Sequence, residues 1–264
     1  MPYCYVQGTR IYFEEEGRGN PMVLVHGAAQ DTLSWRFAVP YLSKRFRTVA
    51  VDLPGHGKSL RSPKGIIERT EDYAEFLNQF IDTLSLGKVV LVGHSMAGGC
   101  ILVAGLNRPD QVKAVVPVDG AGMTLGKTVS YSDDLMELIT VNLPDYWETN
   151  FRALCGGSTP EEQKELIAFE ALKSPADIIH GDLKAYTSLD IRHRLQEISF
   201  PVILITGEDD WSCTPENVKN TERLLQGPKA MEILKGVGHF PHMEAPELFS
   251  STLLTLIAKV LKES

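Results

Sequence analysis

The sequence predicts an α/β protein: a mostly parallel, doubly wound sheet with a small helical insertion. Three observations lead there. Five short apolar runs are each followed by a turn-forming Gly or Asp. Longer segments with helical spacing separate them. That alternation stops between residues 122 and 195, where helix-like pieces follow one another without a clear strand.

Taken in order, Cys4–Glu15 alternates weakly and reads as an antiparallel edge hairpin. Met22–Val25, Thr48–Val51, Val89–Val92, Ala114–Val118 and Val202–Thr206 read as buried strands. Near-continuous apolar runs of this length suit a parallel sheet covered on both faces. Asp72–Leu84 places Tyr73, Phe76, Leu77, Phe80, Ile81 and Leu84 on one helical stripe. Ala97–Leu106 continues directly from the turn at Ser95, and Leu248–Leu261 closes the chain with an amphipathic pattern. Strand–helix repetition of this kind implies right-handed crossovers. Within the insertion, Asp133–Thr140, Thr159–Leu172 and Ala176–Leu183 have helical spacing, with Thr159 the expected N-cap and Pro160 in the first turn. The expected division is a core of residues 1–121 and 196–264, interrupted by a helical segment of residues 122–195.

Composition narrows the function. The 264 residues are 43% hydrophobic and 23% charged, an ordinary globular balance that buries a large core without staples. Acids outnumber bases 34 to 26, so nucleic acid is not an expected partner. Cys4, Cys100, Cys155 and Cys213 are widely spaced and suggest neither a zinc knuckle nor a disulfide framework. The Met1–Tyr5 stretch lacks the basic and apolar regions of a secretion signal, and no apolar run is long enough to span a membrane. A cytoplasmic protein, monomer or homodimer, is the expectation.

The chemistry is concentrated at the strand ends. Gly93-His94-Ser95-Met96-Ala97-Gly98 follows a strand and opens a helix, the setting in which a sharp turn exposes a serine Oγ. The usual pattern ends in glycine at the position of Ala97, a mild steric departure. A serine hydroxyl needs a base to take its proton. Of the seven histidines, His239 in Val237-Gly238-His239-Phe240-Pro241 follows the apolar run Met231–Leu234, at the edge of the sheet where such sites gather. An acid to orient the imidazole is offered by Glu208, Asp209 or Asp210 after the preceding strand, or by Asp119 one strand earlier. Asp52-Leu53-Pro54-Gly55-His56-Gly57 is glycine-rich but lacks the spacing of a nucleotide-binding loop.

Together these motifs resemble the α/β-hydrolase superfamily, in particular its single-domain carboxylesterase, lactonase and cofactor-free haloperoxidase-like branch. The resemblance covers nearly the whole chain. It rests on His26-Gly27, on Asp52 to Ser59, on the Ser95 turn, on Gly207-x-x-Asp210 and on Gly238-His239. It implies the α/β-hydrolase fold, favours Asp210 as the acid, and makes residues 122–195 a helical cap. It also implies an oxyanion hole formed by the backbone N–H groups of Ala28 and Met96. His26-Gly27 is expected to shape the loop rather than to react.

The expected activity is therefore serine-dependent cleavage of a small-molecule carboxylic ester, with no cofactor and no metal. A lactonase or C–C bond hydrolase would use the same triad, and a non-catalytic ligand sensor on the same scaffold is the alternative of a different class. Leu143, Tyr146, Trp147, Phe151, Leu154 and Phe169 could line an apolar pocket or form the insertion's own core. Trp147 and Phe151 are carried forward as pocket candidates, with Trp35 and Trp211 beside the oxyanion and acid loops. A histidine base should make activity fall on the acid side, around pH 6–7 given a reference imidazole value of roughly 6.5.

Overall fold

The computed structural model describes residues 2–120, 137 and 141–262. Eight strands, β1 (Tyr3–Val6), β2 (Thr9–Glu16), β3 (Asn20–Val25), β4 (Phe46–Val51), β5 (Val89–His94), β6 (Val112–Val118), β7 (Val202–Gly207) and β8 (Lys229–Leu234), form one sheet in the order β1-β2-β4-β3-β5-β6-β7-β8. The first two pair antiparallel at one edge, and β2 runs antiparallel to β4. From β4 to β8 every pairing is parallel. This is the α/β-hydrolase architecture expected from the sequence, and each expected strand and the edge hairpin are present.

Parallel strands here are apolar throughout because both faces are buried. Met22 and Leu24 of β3 enter one core cluster, Val23 and Val25 the other, as the two-residue period of a strand requires. The second face is covered by α2 (Thr70–Thr83) and α3 (Met96–Asn107), through Phe76, Phe80, Ile101 and Ala104 among others. The first face is covered by α1 (Val39–Leu42) and the C-terminal helix, through Leu42, Phe249, Leu253 and Ile257. Trp35 belongs to this same core. It is fully buried, its ring lies 4.3 Å from that of His242 and 6.2 Å from that of Phe249. The expectation that Trp35 rims a pocket is thereby corrected: its large apolar surface is used between the sheet and the last helix.

Between β6 and β7 the described residues form α4 (Leu143–Leu154), α5 (Glu161–Ala171) and α6 (Ala176–Ser188). The expected helix Asp133–Thr140 lies, apart from the helical Glu137, outside the described residues. The helix of α4 was not expected from the sequence, although its aromatic residues were noted. Thr159 does not cap α5: Pro160 holds that position, and the Thr159 hydroxyl donates to Glu244 at 2.5 Å instead. Trp147, Phe151, Leu154, Ile167, Ala168, Ile179 and Leu183 cluster with Ala29, Phe240 and Met243, so this segment's apolar interior is shared with two loops of the sheet. Beyond the segment, α7 (Pro215–Leu224), α8 (Pro241–Glu244) and α9 (Pro246–Leu261) complete the described helices. Among the described residues no helix is long and apolar enough to cross a membrane.

Candidate active site

Because β3 to β8 all run in one direction, their carboxyl ends deliver His26, Asp52, Ser95, Asp119, Asp210 and His239 to a single edge of the sheet. Ser95 stands between β5 and α3 with φ 53° and ψ −121°, a conformation that non-glycine residues rarely adopt. The crowding of this elbow explains its small neighbours. A Cβ on Gly93 would lie 2.6 Å from the Ala97 carbonyl oxygen, and one on Gly98 would lie 2.9 Å from the Gly120 Cα. Gly98, rather than the residue at Ala97, makes the close approach to the β6 loop, which is why alanine fits where the usual pattern has glycine.

His239 is buried, and its Nδ1 donates to Asp210 Oδ2 at 2.8 Å. Asp210 is buried as well, and its Oδ1 accepts from the backbone N–H groups of Ser212 (2.8 Å) and Cys213 (3.0 Å). Burial pushes the Asp210 carboxyl up, but the neighbouring imidazole and these donors outweigh it and hold the group below its ordinary value. Asp210 is thus the acid in contact with the histidine. Asp209 is exposed and accepts from the Gly157 N–H at 2.8 Å, and Asp119 bonds to Thr206 and Gly207. The ring of His94, next to Ser95, lies 4.8 Å from that of His239, and its Nε2 lies 2.7 Å from the His239 carbonyl oxygen. Burial keeps His94 neutral by pushing its imidazole far down. A buried neutral ring thus links the serine elbow to the histidine loop.

Ala28 follows β3 on a turn closed by Gln30 N–H to the Gly27 carbonyl. Among the described residues neither the Ala28 amide nor the Met96 amide at the start of α3 has a hydrogen-bond partner. The turn is tightly anchored. His26 Nδ1 donates to the Gly27 carbonyl at 2.8 Å while its Nε2 accepts from Leu53 N–H at 3.0 Å, so this histidine shapes the loop as expected. Ala29, with φ 62°, donates its N–H to Asp182 Oδ2 at 3.1 Å.

Two residues that sequence reading missed hold this edge together. Asp182 of α6 is fully buried and accepts from His56 Nε2 (2.9 Å) and the Tyr73 hydroxyl (2.6 Å) besides Ala29. Burial pulls the His56 imidazole down, yet the Asp182 charge and hydrogen bond prevail and raise it above its ordinary value. A carboxylate on the stripe of Ile178 and Ile179 was the available signal. Glu244 of α8 accepts from the N–H groups of Gly156 (2.8 Å), Gly238 (2.9 Å) and Phe240 (2.8 Å), tying the segment after α4 to both sides of His239. The His239 amide itself donates to the Leu154 carbonyl at 2.9 Å.

The aromatic candidates separate. Trp147 and Phe151 are buried in the cluster that includes Ala29 and Phe240, the neighbours of Ala28 and His239. Trp211 is 53% exposed and spends its indole N–H on the Ala153 carbonyl at 2.8 Å. It is a surface clasp on the end of α4, which corrects its reading as pocket rim. Phe169, 61% exposed, is not part of that interior. Among the described residues, Asp210, Cys213 and His239 are the one group whose ligand atoms lie close enough, within 4.8 Å, to hold a metal. Their donors are otherwise engaged: Asp210 accepts three N–H groups, and burial pushes the Cys213 thiol up and keeps it protonated.

A family model described as alpha/beta hydrolase fold matches residues 20–246. The chain belongs to the alpha/beta hydrolase family. Within it, the chain is 28% identical over 90% of its length to (E)-2-((N-methylformamido)methylene)succinate hydrolase of Acinetobacter baylyi, of which it covers 90%. It is 28% identical over 91% of its length to pimeloyl-[acyl-carrier protein] methyl ester esterase of Nitrosomonas europaea, covering 97% of that protein. A thermophilic esterase from Thermogutta terrifontis superposes with a TM-score of 0.88 at 24% identity, over 98% of this chain and 99% of that one. This alpha/beta hydrolase is therefore a hydrolytic enzyme whose relatives include esterases.

Proposed function

We propose that this alpha/beta hydrolase cleaves uncharged carboxylic esters through an acyl-enzyme formed on Ser95. The observation that carries the reading is the 2.8 Å bond from His239 Nδ1 to Asp210. It places the imidazole proton on Nδ1 and leaves Nε2 as the acceptor. Ser95 Oγ attacks the ester carbonyl as Nε2 takes its proton. The amides of Ala28 and Met96, aimed from a turn and a helix start, receive the developing oxyanion, where one donor is worth about 10²–10³ in rate. His239 then gives the proton to the leaving alcohol and activates water for deacylation.

Residues 122–195 act in this reading as a cap over the strand ends, with Trp147 and Phe151 supporting the apolar wall through Ala29 and Phe240. An uncharged ester is favoured in this reading: Arg36 and Lys173, where the described part of this segment meets the loop after β3, are already paired with Glu170 and Asp31. The ester name of one relative supports the same choice. The test is hydrolysis of short p-nitrophenyl esters, with lactones and thioesters alongside and Ser95→Ala as the blank. Ester turnover abolished by that substitution, with a fluorophosphonate adduct on Ser95 in the unsubstituted protein, is the expected result. An adduct on another serine, or turnover that survives Ser95→Ala, refutes it.

A further inference from the structure

Asp119 closes β6 beside Asp210 at the end of β7, and nothing in the proposed reaction uses it. The two strands are parallel neighbours, with Val118 opposite Ile205 and the Asp119 N–H donating to the Ile205 carbonyl at 2.9 Å. Asp119 is fully buried and Asp210 nearly so. Asp119 Oδ1 accepts twice, from Thr206 Oγ1 at 2.8 Å and from Gly207 N–H at 2.9 Å. Its Oδ2 is buried, and among the described residues no group donates to it. The neighbour in hydrogen-bond contact is the Asp210 carboxylate, an acceptor. Among the described residues no ion pair reaches Asp119. The titratable groups facing it are Asp210 and Cys213 from the loop after β7, with His239 behind the first and the Tyr186 hydroxyl of α6 behind the second.

Two carboxylates in contact inside a dry site cannot both ionise. The donors decide which keeps the proton. Asp210 receives three N–H groups, one from an imidazole, and is stable as the anion. Asp119 receives two donors on one oxygen and leaves the other free to carry hydrogen. We infer that Asp119 is held as a neutral carboxylic acid whose Oδ2–H donates to Asp210, making it a positioning residue for the acid that orients His239. Burial and the Asp210 charge push the Asp119 carboxyl up, in agreement with that arrangement. The bond occupies a lone pair of Asp210 that no backbone amide reaches, so the carboxylate cannot rotate away from Nδ1. It also draws charge from Asp210 and so limits how strongly the imidazole is held in its cationic form. This inference rests on the Ser95–His239–Asp210 reading.

The test compares Asp119→Asn and Asp119→Ala with the unsubstituted enzyme, using a p-nitrophenyl ester across pH. Asparagine tolerates the φ of 46° found here and replaces the O–H donor with an N–H donor. It should leave kcat/KM within about threefold and its acid limb in place, and it should remove a protonated-carboxyl infrared band present at neutral pH. It should also raise Tm at pH 7, since the native protein no longer holds a proton that the unfolded chain releases. Alanine should lower kcat about tenfold or more and move the acid limb to higher pH, an effect rescued by asparagine. An acid limb moved to lower pH by Asp119→Asn means that Asp119 is ionised and overturns the inference. An alanine variant with an unchanged profile removes the positioning role. If Ser95→Ala keeps its activity, the triad reading fails on its own, while the infrared band still reports where the proton sits.

Discussion

At Ser95 the backbone is held at φ 53° by neighbours that leave no room to relax: Gly98 against Gly120, and Gly93 against Ala97. A conformation of this kind costs about 1–3 kcal/mol and persists only where packing enforces it. The acid that orients the histidine is decided by equally local geometry. Asp210 bonds to His239, whereas its neighbour Asp209 is exposed and secures Gly157. Asp210→Asn should therefore lower kcat by about 10³–10⁴-fold, because the amide oxygen stays with the Ser212 and Cys213 N–H groups and the NH2 is left to donate to Nδ1, which favours the wrong tautomer. Asp209→Asn should lower it less than about tenfold. Steady-state kinetics on one ester distinguishes them, and comparable losses from both substitutions contradict the geometry. The sequence left Glu208, Asp209, Asp210 and Asp119 as choices because all four follow strand ends; only side-chain direction separates them.

Among the elements, α6 and α8 do more than cover the sheet. Asp182 of α6 gathers His56, Tyr73 and the Ala29 amide, which adjoins the proposed oxyanion donor. Asp182→Ala leaves three buried donors without an acceptor, each worth about 1–3 kcal/mol. Thermal unfolding should shift down by about 6–12 °C, taking the lower bound of that range at 2–4 °C per kcal/mol. The kcat should fall with it, since the turn bearing Ala28 loses its anchor. The His56 value is raised in the fold. Its contribution is thus complete below the unfolded value of roughly 6.5 and disappears as pH climbs through the folded one. The gap between Asp182→Ala and the unsubstituted protein should accordingly narrow from pH 6 to pH 9 in melting experiments. A gap independent of pH would mean that His56 is neutral throughout.

Across the whole molecule the buried neutral histidines set the acid limit. Burial pushes His26 and His242 down to about 3, and His94 well below its ordinary value. The unfolded chain binds protons at these positions first, so stability is lost as pH falls below about 6.5. Each group contributes about 1.4 kcal/mol per pH unit, so His26 and His242 together remove about 7 kcal/mol by pH 4, and His94 acts in the same direction. That is comparable with the whole stability of a typical domain, so unfolding by about pH 4 is expected from circular dichroism. Among the described residues neither ring nitrogen of His242 has a hydrogen-bond partner, and the ring sits against Trp35, His94 and Phe249. His242→Phe should flatten the acid slope by one proton; an unchanged slope would show that this histidine does not govern the transition.

The strands, their mostly parallel direction and the serine, histidine and acid turns were legible because each is written in adjacent residues. A run such as Val89–Val92 followed by Gly93-His94-Ser95 carries its strand, its turn and its chemistry within seven positions. The sheet then brings such turns to one edge with no further instruction. What the chain order does not carry is which side chain meets which across the fold. Trp35 looked like a rim residue from its neighbours and lies in the core, because α9 arrives from more than 200 positions away to cover it. Asp182 meets His56 across 126 positions, and Asp119 shares a buried site with Asp210 on the adjoining strand. Burial, charge state and hydrogen-bond partner are properties of these distant meetings. Tertiary structure alone settles them, because the dielectric and the donors around a carboxylate are set by whatever packs against it.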